Sequence, residues 1–154
     1  ARVDFQPVDL NALIDHIKDD LQLTISERKA TIAHCHLPTV QGVELQLGQV
    51  FQNLISNSLK FAHHDRAPEI NIDCHNEDAN YVITYTDNGI GFENEMAEKI
   101  FDIFERLHPR EQYEGTGIGL AIVKKILASH GGSISATGFL GKGARFDIKL
   151  PQNK

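Results

Sequence analysis

Three groups of residues in this sequence have types and spacings that could do chemistry. The first is Asn53, Asn57 and Lys60, within "FQNLISNSLKFA". Steps of four and three put all three on one side of a helix. An Asn oxygen can ligate Mg2+, a hard cation that prefers oxygen and keeps water and phosphate in its shell. A Lys one turn further on can meet a phosphate. Asn is a poor helix-interior residue because its side chain competes for backbone hydrogen bonds. Two of them a turn apart suggest a task that outweighs propensity; a solvated helix face is the alternative. The second group is Asp87, Gly89 and Gly91, in "TDNGIGF". A carboxylate at a strand end can accept from an exocyclic amine while bare backbone lets a purine lie close. A plain Asx turn with positive-φ glycines would leave the same letters. The third is the triplet Gly115, Gly117 and Gly119, in "YEGTGIGLAIVKKI". Glycines there allow close backbone approach, and a helix starting at that point adds partial positive charge that favours phosphate. A flexible loop capped by a helix is the competing reading.

These groups need elements to position them. Apolar residues at Leu10, Leu13, Ile14, Ile17 and Leu21 predict a helix over 8–30 with Asp9 as its N-cap. Residues 31–36 alternate like a short strand, and 37–43 read as loop. A second helix is predicted over 44–62, with Leu47, Val50, Phe51, Leu54, Ile55 and Ala62 on one stripe. Residues 69–75 and 81–87 predict two strands around a polar turn. A short amphipathic piece at 96–104 and a polar stretch at 105–114 lead to a helix that ends near Gly131 and Gly132, which suit a C-cap. "SISATG" and "ARFDIKL" predict a closing hairpin around "FLGKG". The mixed order of helices and antiparallel pairs predicts one sheet covered by helices on one face.

The 154 residues suffice for one domain with a single core. Net charge is −6 with no clustering of Lys and Arg, which argues against a nucleic-acid surface. No run of about eighteen apolar residues exists, so no membrane-spanning helix is expected. The chain opens on Ala1 rather than Met, and is expected to be a piece of a longer protein. Cys35 and Cys74 stand apart in strand-like runs and read as buried small side chains in a reducing compartment. His34 and His36 share a strand face and read as structural rather than as metal ligands. His63 and His64 end the second helix and are expected to cap it, His16 reads as helix surface, and His108 as solvent-facing or near phosphate. Common nucleotide motifs fail. The glycine triplet lacks the spacing of a dinucleotide fingerprint, "GKGAR" is not a P-loop, and the protein-kinase signatures are missing.

Taken together, "NLISNSLKF", "DNGIG", "IFDIFERLHPREQYEGTGIGLA" and "GKGARF", in that order, resemble the ATP-binding domain of bacterial sensor histidine kinases. They match that family's N box, first glycine box, F box, second glycine box and final glycine turn, over nearly the whole chain. The wording from Phe104 to Ile126 looks especially like phytochrome-type and PAS-linked kinases. The wider GHKL superfamily also holds gyrase, mismatch-repair ATPases and a heat-shock chaperone. The resemblance implies the Bergerat fold, an α/β two-layer sandwich in which a mixed sheet of about five strands carries about three helices on one face. Residues 1–154 would form one catalytic domain. Residues 1–8 would be the exit from a preceding helical dimerisation and phospho-acceptor domain, and 100–116 a mobile ATP lid.

By this resemblance Asn57 would coordinate Mg2+ on the phosphates of ATP, with Asn53 supporting that site and Lys60 contacting phosphate. Phe61 would lie near adenine, and Asp87 would accept from its 6-amino group. Gly89 and Gly91 would shape the base pocket. Phe101 and Phe104 would pin the base of the lid, and Arg106 would meet the γ-phosphate. Gly115, Thr116, Gly117, Gly119 and Leu120 would complete the ATP site. Hydrolysing members of the superfamily carry Glu where this chain has Asn53, and an amide cannot take a proton at neutral pH. That favours phosphoryl transfer to a protein acceptor over transfer to water, with Asn53, Lys60 and Arg106 as the catalytic set. None of the eight histidines has the acceptor context of the family, so the acceptor hairpin is expected elsewhere in the parent kinase. A response regulator would be the indirect downstream partner. The domain is expected to be cytoplasmic, monomeric when isolated and without nucleic-acid or membrane contact of its own. A GHKL-type ATPase or chaperone-like module, a non-catalytic nucleotide-sensing docking domain and an anti-sigma-factor serine kinase are the competing readings. Ser58, where the family commonly has Ala, and Ala144, where it often has Thr or Ser, are departures that touch no assigned role.

Overall fold

A computed structural model describes residues 5–102 and 119–152. The described elements run β1 (Gln6–Asp9), α1 (Leu10–Asp20), α2 (Gln22–Arg28), β2 (Thr31–His34), β3 (Thr39–Gly42), α3 (Glu44–Lys60), β4 (Glu69–Glu77) and β5 (Asn80–Asp87). Two short 3-10 turns, Asn94–Met96 and Lys99–Phe101, follow, then α4 (Gly119–Ser129), β6 (Ser133–Phe139) and β7 (Gly143–Pro151). Five strands form one sheet in the order β2-β4-β5-β7-β6, parallel at β2–β4 and antiparallel elsewhere. The expected two-layer architecture is therefore the one observed, with four α-helices rather than about three.

One face of the sheet is apolar across its strands, while the other buries Val82. Ile70 and Ile72 of β4, Ile83 and Tyr85 of β5, and Ala144, Phe146, Ile148 and Leu150 of β7 are buried at alternate positions, as the two-residue period of a strand dictates. The opposite face carries Thr84 paired with Asp147, Arg145 on the same carboxylate, and Lys149 beside Glu77. α3 supplies the central knob row, with Leu47, Val50, Phe51, Leu54, Ile55, Ser58 and Leu59 all buried. Each large apolar side chain in that row stabilises the fold by roughly 1.5–3 kcal/mol.

Three local expectations need correction. The helix expected over 8–30 is two helices. Leu21, at φ −100° and ψ 13°, ends α1, and α2 buries no residue at all; the apolar period fades after Ile17. Asp9 does cap α1, accepting from the Asn11 amide at 2.9 Å. The segment expected as loop contains β3, which pairs antiparallel with β1 and sets Val8 opposite Val40. Only that tertiary pairing makes a strand of four residues lying between Pro38 and Val43. The cysteines are half-buried rather than buried, and both thiols are free. Burial, and then the neighbouring Cys35, push the Cys74 thiol up from its ordinary value.

Candidate nucleotide-binding site

β5 ends on Asp87, and the inward alternation of Ile83 and Tyr85 carries on to it. α3 crosses that strand end and presents Ser58. Ser58 Oγ donates to Asp87 Oδ2 at 2.6 Å, and the Tyr85 hydroxyl lies 2.7 Å from Ser58 Oγ. The other carboxylate oxygen, Oδ1, accepts from the amides of Gly89 at 3.0 Å and Ala144 at 3.1 Å. Ala144 faces Asp87 across the β5–β7 ladder, which aims its N–H. A carboxylate has about four acceptor positions. Among the described residues, Oδ1 is filled twice and Oδ2 once, leaving one acceptor position on Oδ2. Burial pushes the Tyr85 phenol well above its ordinary value; the Ser58 bond opposes this and the Asp87 charge adds to it.

The glycines after Asp87 are required by the protein's own backbone. A side chain on Gly89 would meet the Phe61 carbonyl oxygen at 2.8 Å. That carbonyl, near the end of α3, accepts from the Ile90 amide at 3.0 Å. Gly91 has φ +66° and no room for a Cβ between the carbonyls of Phe139 and Gly143. The turn is thus clamped between the C-terminus of α3 and the β6–β7 hairpin, where His63 Nε2 also donates to the Gly141 carbonyl at 2.9 Å. His63 therefore reaches the hairpin rather than capping its own helix.

The same helix reaches the start of α4. Asn53 Nδ2 donates to the Gly119 carbonyl at 3.2 Å, which leaves the Asn53 oxygen as an acceptor. Asn57 follows one turn later, half-buried, and Lys60 one turn after that, its ammonium 5.6 Å from the Phe61 ring centroid. Leu120 is buried on the inner side of α4. Phe101 is buried edge-on to Phe146, with ring centroids 6.4 Å apart, and Lys124 of α4 stands over it at 6.0 Å. The structure therefore brings Asn53, Gly119, Asp87, Gly89 and Phe61 together around the C-terminal half of α3. Phe104, Arg106, His108, Gly115, Thr116 and Gly117 lie outside the described residues. Among the described residues, no group of three or more His, Cys, Asp or Glu could hold a metal ion by itself. Asn57 fits the other way of binding magnesium, as one protein oxygen beside phosphate and water.

A model of the family described as histidine kinase-, DNA gyrase B- and HSP90-like ATPases matches residues 42–154. The chain belongs to this ATPase family. Within the family, Cyanobacterial phytochrome A of Nostoc sp. is 42% identical over 147 residues, covering 96% of this chain and 19% of that protein. Phytochrome-like protein Cph1 of Synechocystis sp. is 41% identical over 143 residues, covering 93% and 19%. The chain spans about a fifth of the length of these curated relatives. Among solved structures, the catalytic domain of histidine kinase ThkA superposes with a TM-score of 0.80 at 23% identity, over 97% of this chain and 99% of that one. Full-length ShkA in complex with AMPPNP gives 0.79 at 28% identity, over 96% and 31%. The fold of the family is the fold observed here.

Sequence alone gives no role to two residues of the site: Ser58, a small departure from the family pattern, and Tyr85, within the strand predicted over 81–87. A third, His130, is 1% exposed beyond the site at the end of α4. Its Nε2 accepts from the Val43 amide at 3.1 Å and its Nδ1 donates to the Ile126 carbonyl at 2.8 Å. It ties α4 to the start of α3.

Proposed function

We propose that this chain binds Mg-ATP between α3, the turn after β5 and the start of α4, and donates the γ-phosphoryl group to a histidine on a separate helical-hairpin domain of a two-component sensor kinase. Membership of the family and the AMPPNP bound by ShkA support the nucleotide. Asp87 Oδ2 accepts from the 6-amino group of adenine, and Phe61 lies beside the base. Asn57 offers its oxygen to the metal, and Lys60 faces phosphate. The amides at the start of α4 point at the phosphates with the positive end of the helix dipole. Gly115, Thr116, Gly117 and Arg106 complete the phosphate site in this reading. Magnesium, when bound, neutralises charge on the phosphates as the transferred group moves.

The observation that carries the choice of reaction is Asn53. It stands one turn before Asn57, where a base for water would have to be. It is an amide, and its nitrogen is committed to the Gly119 carbonyl. It cannot accept a proton at neutral pH, so water gains no base from this helix. An imidazole nitrogen is already a nucleophile; it forms the P–N bond as the bond from the γ-phosphorus to the bridging oxygen breaks, leaving ADP. The chain's contribution is then positioning and charge neutralisation. The domain acts in the cytoplasm as a monomer, entered through residues 1–8 from the hairpin domain, and a response regulator takes the phosphoryl group afterwards. Among the described residues, no helix is long and apolar enough to cross a membrane.

The test is trans-phosphorylation. The chain is mixed with γ-labelled Mg-ATP and a purified helical hairpin from a phytochrome-type kinase. Acid-labile label on the hairpin is expected, with little free phosphate. Steady hydrolysis at about one turnover per second or more, with no labelled hairpin, would make the chain an ATPase instead.

A further inference from the structure

Ser58 has one hydroxyl hydrogen, and Asp87 Oδ2 takes it at 2.6 Å. The Tyr85 hydroxyl, 2.7 Å from the same Ser58 oxygen, must then be the donor in that pair. The three groups form a one-way chain of hydrogen bonds from a fully buried phenol to the carboxylate. Its direction is enforced from both ends, because a carboxylate oxygen accepts and the tyrosine has no other partner among the described bonds. Ser58 sits on the buried row of α3, where a polar side chain is kept only if it is satisfied.

We propose that Ser58 and Tyr85 are positioning residues that hold Asp87 Oδ2 as a fixed acceptor, and thereby set the preference of the site for 6-amino over 6-oxo purine nucleotides. This rests on the base-reading role of Asp87 proposed above. The two amides on Oδ1 anchor one end of the carboxylate. Rotation about the Cβ–Cγ bond swings both oxygens together, and without Ser58 only the two amides on Oδ1 oppose it. The tyrosine matters because it removes the alternative. A serine hydroxyl without that donor can rotate its hydrogen away from Asp87 and offer it to the 6-oxo group of inosine or guanosine. With Tyr85 donating into one lone pair of Ser58 Oγ, the hydroxyl rotor is held with its hydrogen on Asp87, and a 6-oxo group meets acceptors alone.

Calorimetry of the chain with the magnesium salts of ATP and inosine triphosphate tests this in four variants. Ser58→Ala is expected to weaken ATP by about tenfold, as for loss of one bond to a charged group, and to change inosine triphosphate by less than about threefold. Tyr85→Phe is expected to lower the ATP preference by about threefold, chiefly by strengthening inosine triphosphate. Ser58→Ala strands the Tyr85 hydroxyl, so the combined Ser58→Ala/Tyr85→Phe variant is expected to recover melting temperature but not ATP affinity. Equal losses for both nucleotides in Ser58→Ala, or ATP affinity that returns with the melting temperature in the double variant, would reduce the pair to a packing role and overturn the proposal. Asp87→Ala separates the two layers. If it erases the ATP preference while Ser58→Ala does not, only the positioning role fails. If it leaves the preference untouched, base reading by Asp87 fails with it.

Discussion

Asn53 of α3 donates its side-chain amide to the carbonyl of Gly119, 3.2 Å away, at the first residue of α4. The residues are 66 apart in sequence. This bond joins the helix that carries Asn57 and Lys60 to the start of α4, the proposed phosphate end of the site. Asn53→Ala should cost about 1 kcal/mol of stability, the usual net worth of one such bond. Phosphoryl transfer should fall by tenfold or more, since the start of α4 loses its side-chain link to α3. A urea titration read beside the transfer rate checks both numbers; an unchanged rate would leave the tether without functional weight.

Asp87→Asn puts an amide where two backbone N–H groups and Ser58 all donate. With the NH2 in the Oδ2 position Ser58 faces it, and in the Oδ1 position both backbone N–H groups do. ATP binding should drop beyond about a hundredfold, two charge-assisted bonds being compromised at once. Asn57→Asp keeps an oxygen and adds a negative charge beside the proposed phosphate site, and transfer should be lost with little change in melting temperature. Equilibrium binding and single-turnover transfer distinguish the two defects.

Gly91→Ala is expected to be more damaging than Gly89→Ala in the turn after β5. The residue sits at φ +66°, and a Cβ there would run into the carbonyls of Phe139 and Gly143. Positive φ alone costs about 1 kcal/mol or more, and the clash adds to it. Chemical denaturation should show a loss of about 2 kcal/mol or more. A near-neutral result would mean that the hairpin can move away at no cost.

His130→Ala should destabilise by about 2–4 kcal/mol, from the cavity and from the Val43 amide left without its acceptor. His130→Gln, which keeps an acceptor and a donor, should recover part of this. Thermal melts of the two variants provide the comparison.

Alkaline pH offers a signature of the buried phenol. Burial raises the Tyr85 pKa above its ordinary 10.0, so the folded protein holds that proton longer than the unfolded chain does. The contribution of the neutral phenol is fully present below about pH 10 and is lost as pH rises from there toward the folded-state value. Unfolding free energy should therefore fall more steeply with pH above 10 in the wild type than in Tyr85→Phe. Parallel curves would contradict the buried, hydrogen-bonded phenol.

Much of this was legible in the sequence because local pattern and tertiary role agree. The period of α3 is visible from Leu47 to Leu59 and fixes which side Asn53, Asn57 and Lys60 occupy. Strand alternation places Ile83, Tyr85 and Asp87 on one side. Position 58 continues the row of Leu54 and Ile55, so a serine there already signalled a buried polar group in need of a partner. What the partner is depends on the α3–β5 crossing, which no local pattern encodes. β3 was hidden for a related reason, since four residues after Pro38 become a strand only through β1. The break at Leu21 had no breaker residue to announce it. The sequence pattern suggests that Gly89 and Gly91 make room for a ligand, whereas a Cβ there would meet the protein's own Phe61, Phe139 and Gly143.

The most direct measurement is calorimetric titration of the chain with Mg-ATP. Saturable heat at one nucleotide per chain is expected, and it should disappear in Asp87→Asn while that variant still melts cooperatively. No heat from the wild-type chain at nucleotide concentrations on the order of 1 mM, which a Kd in the usual substrate range would saturate, would contradict the assignment of this pocket to ATP.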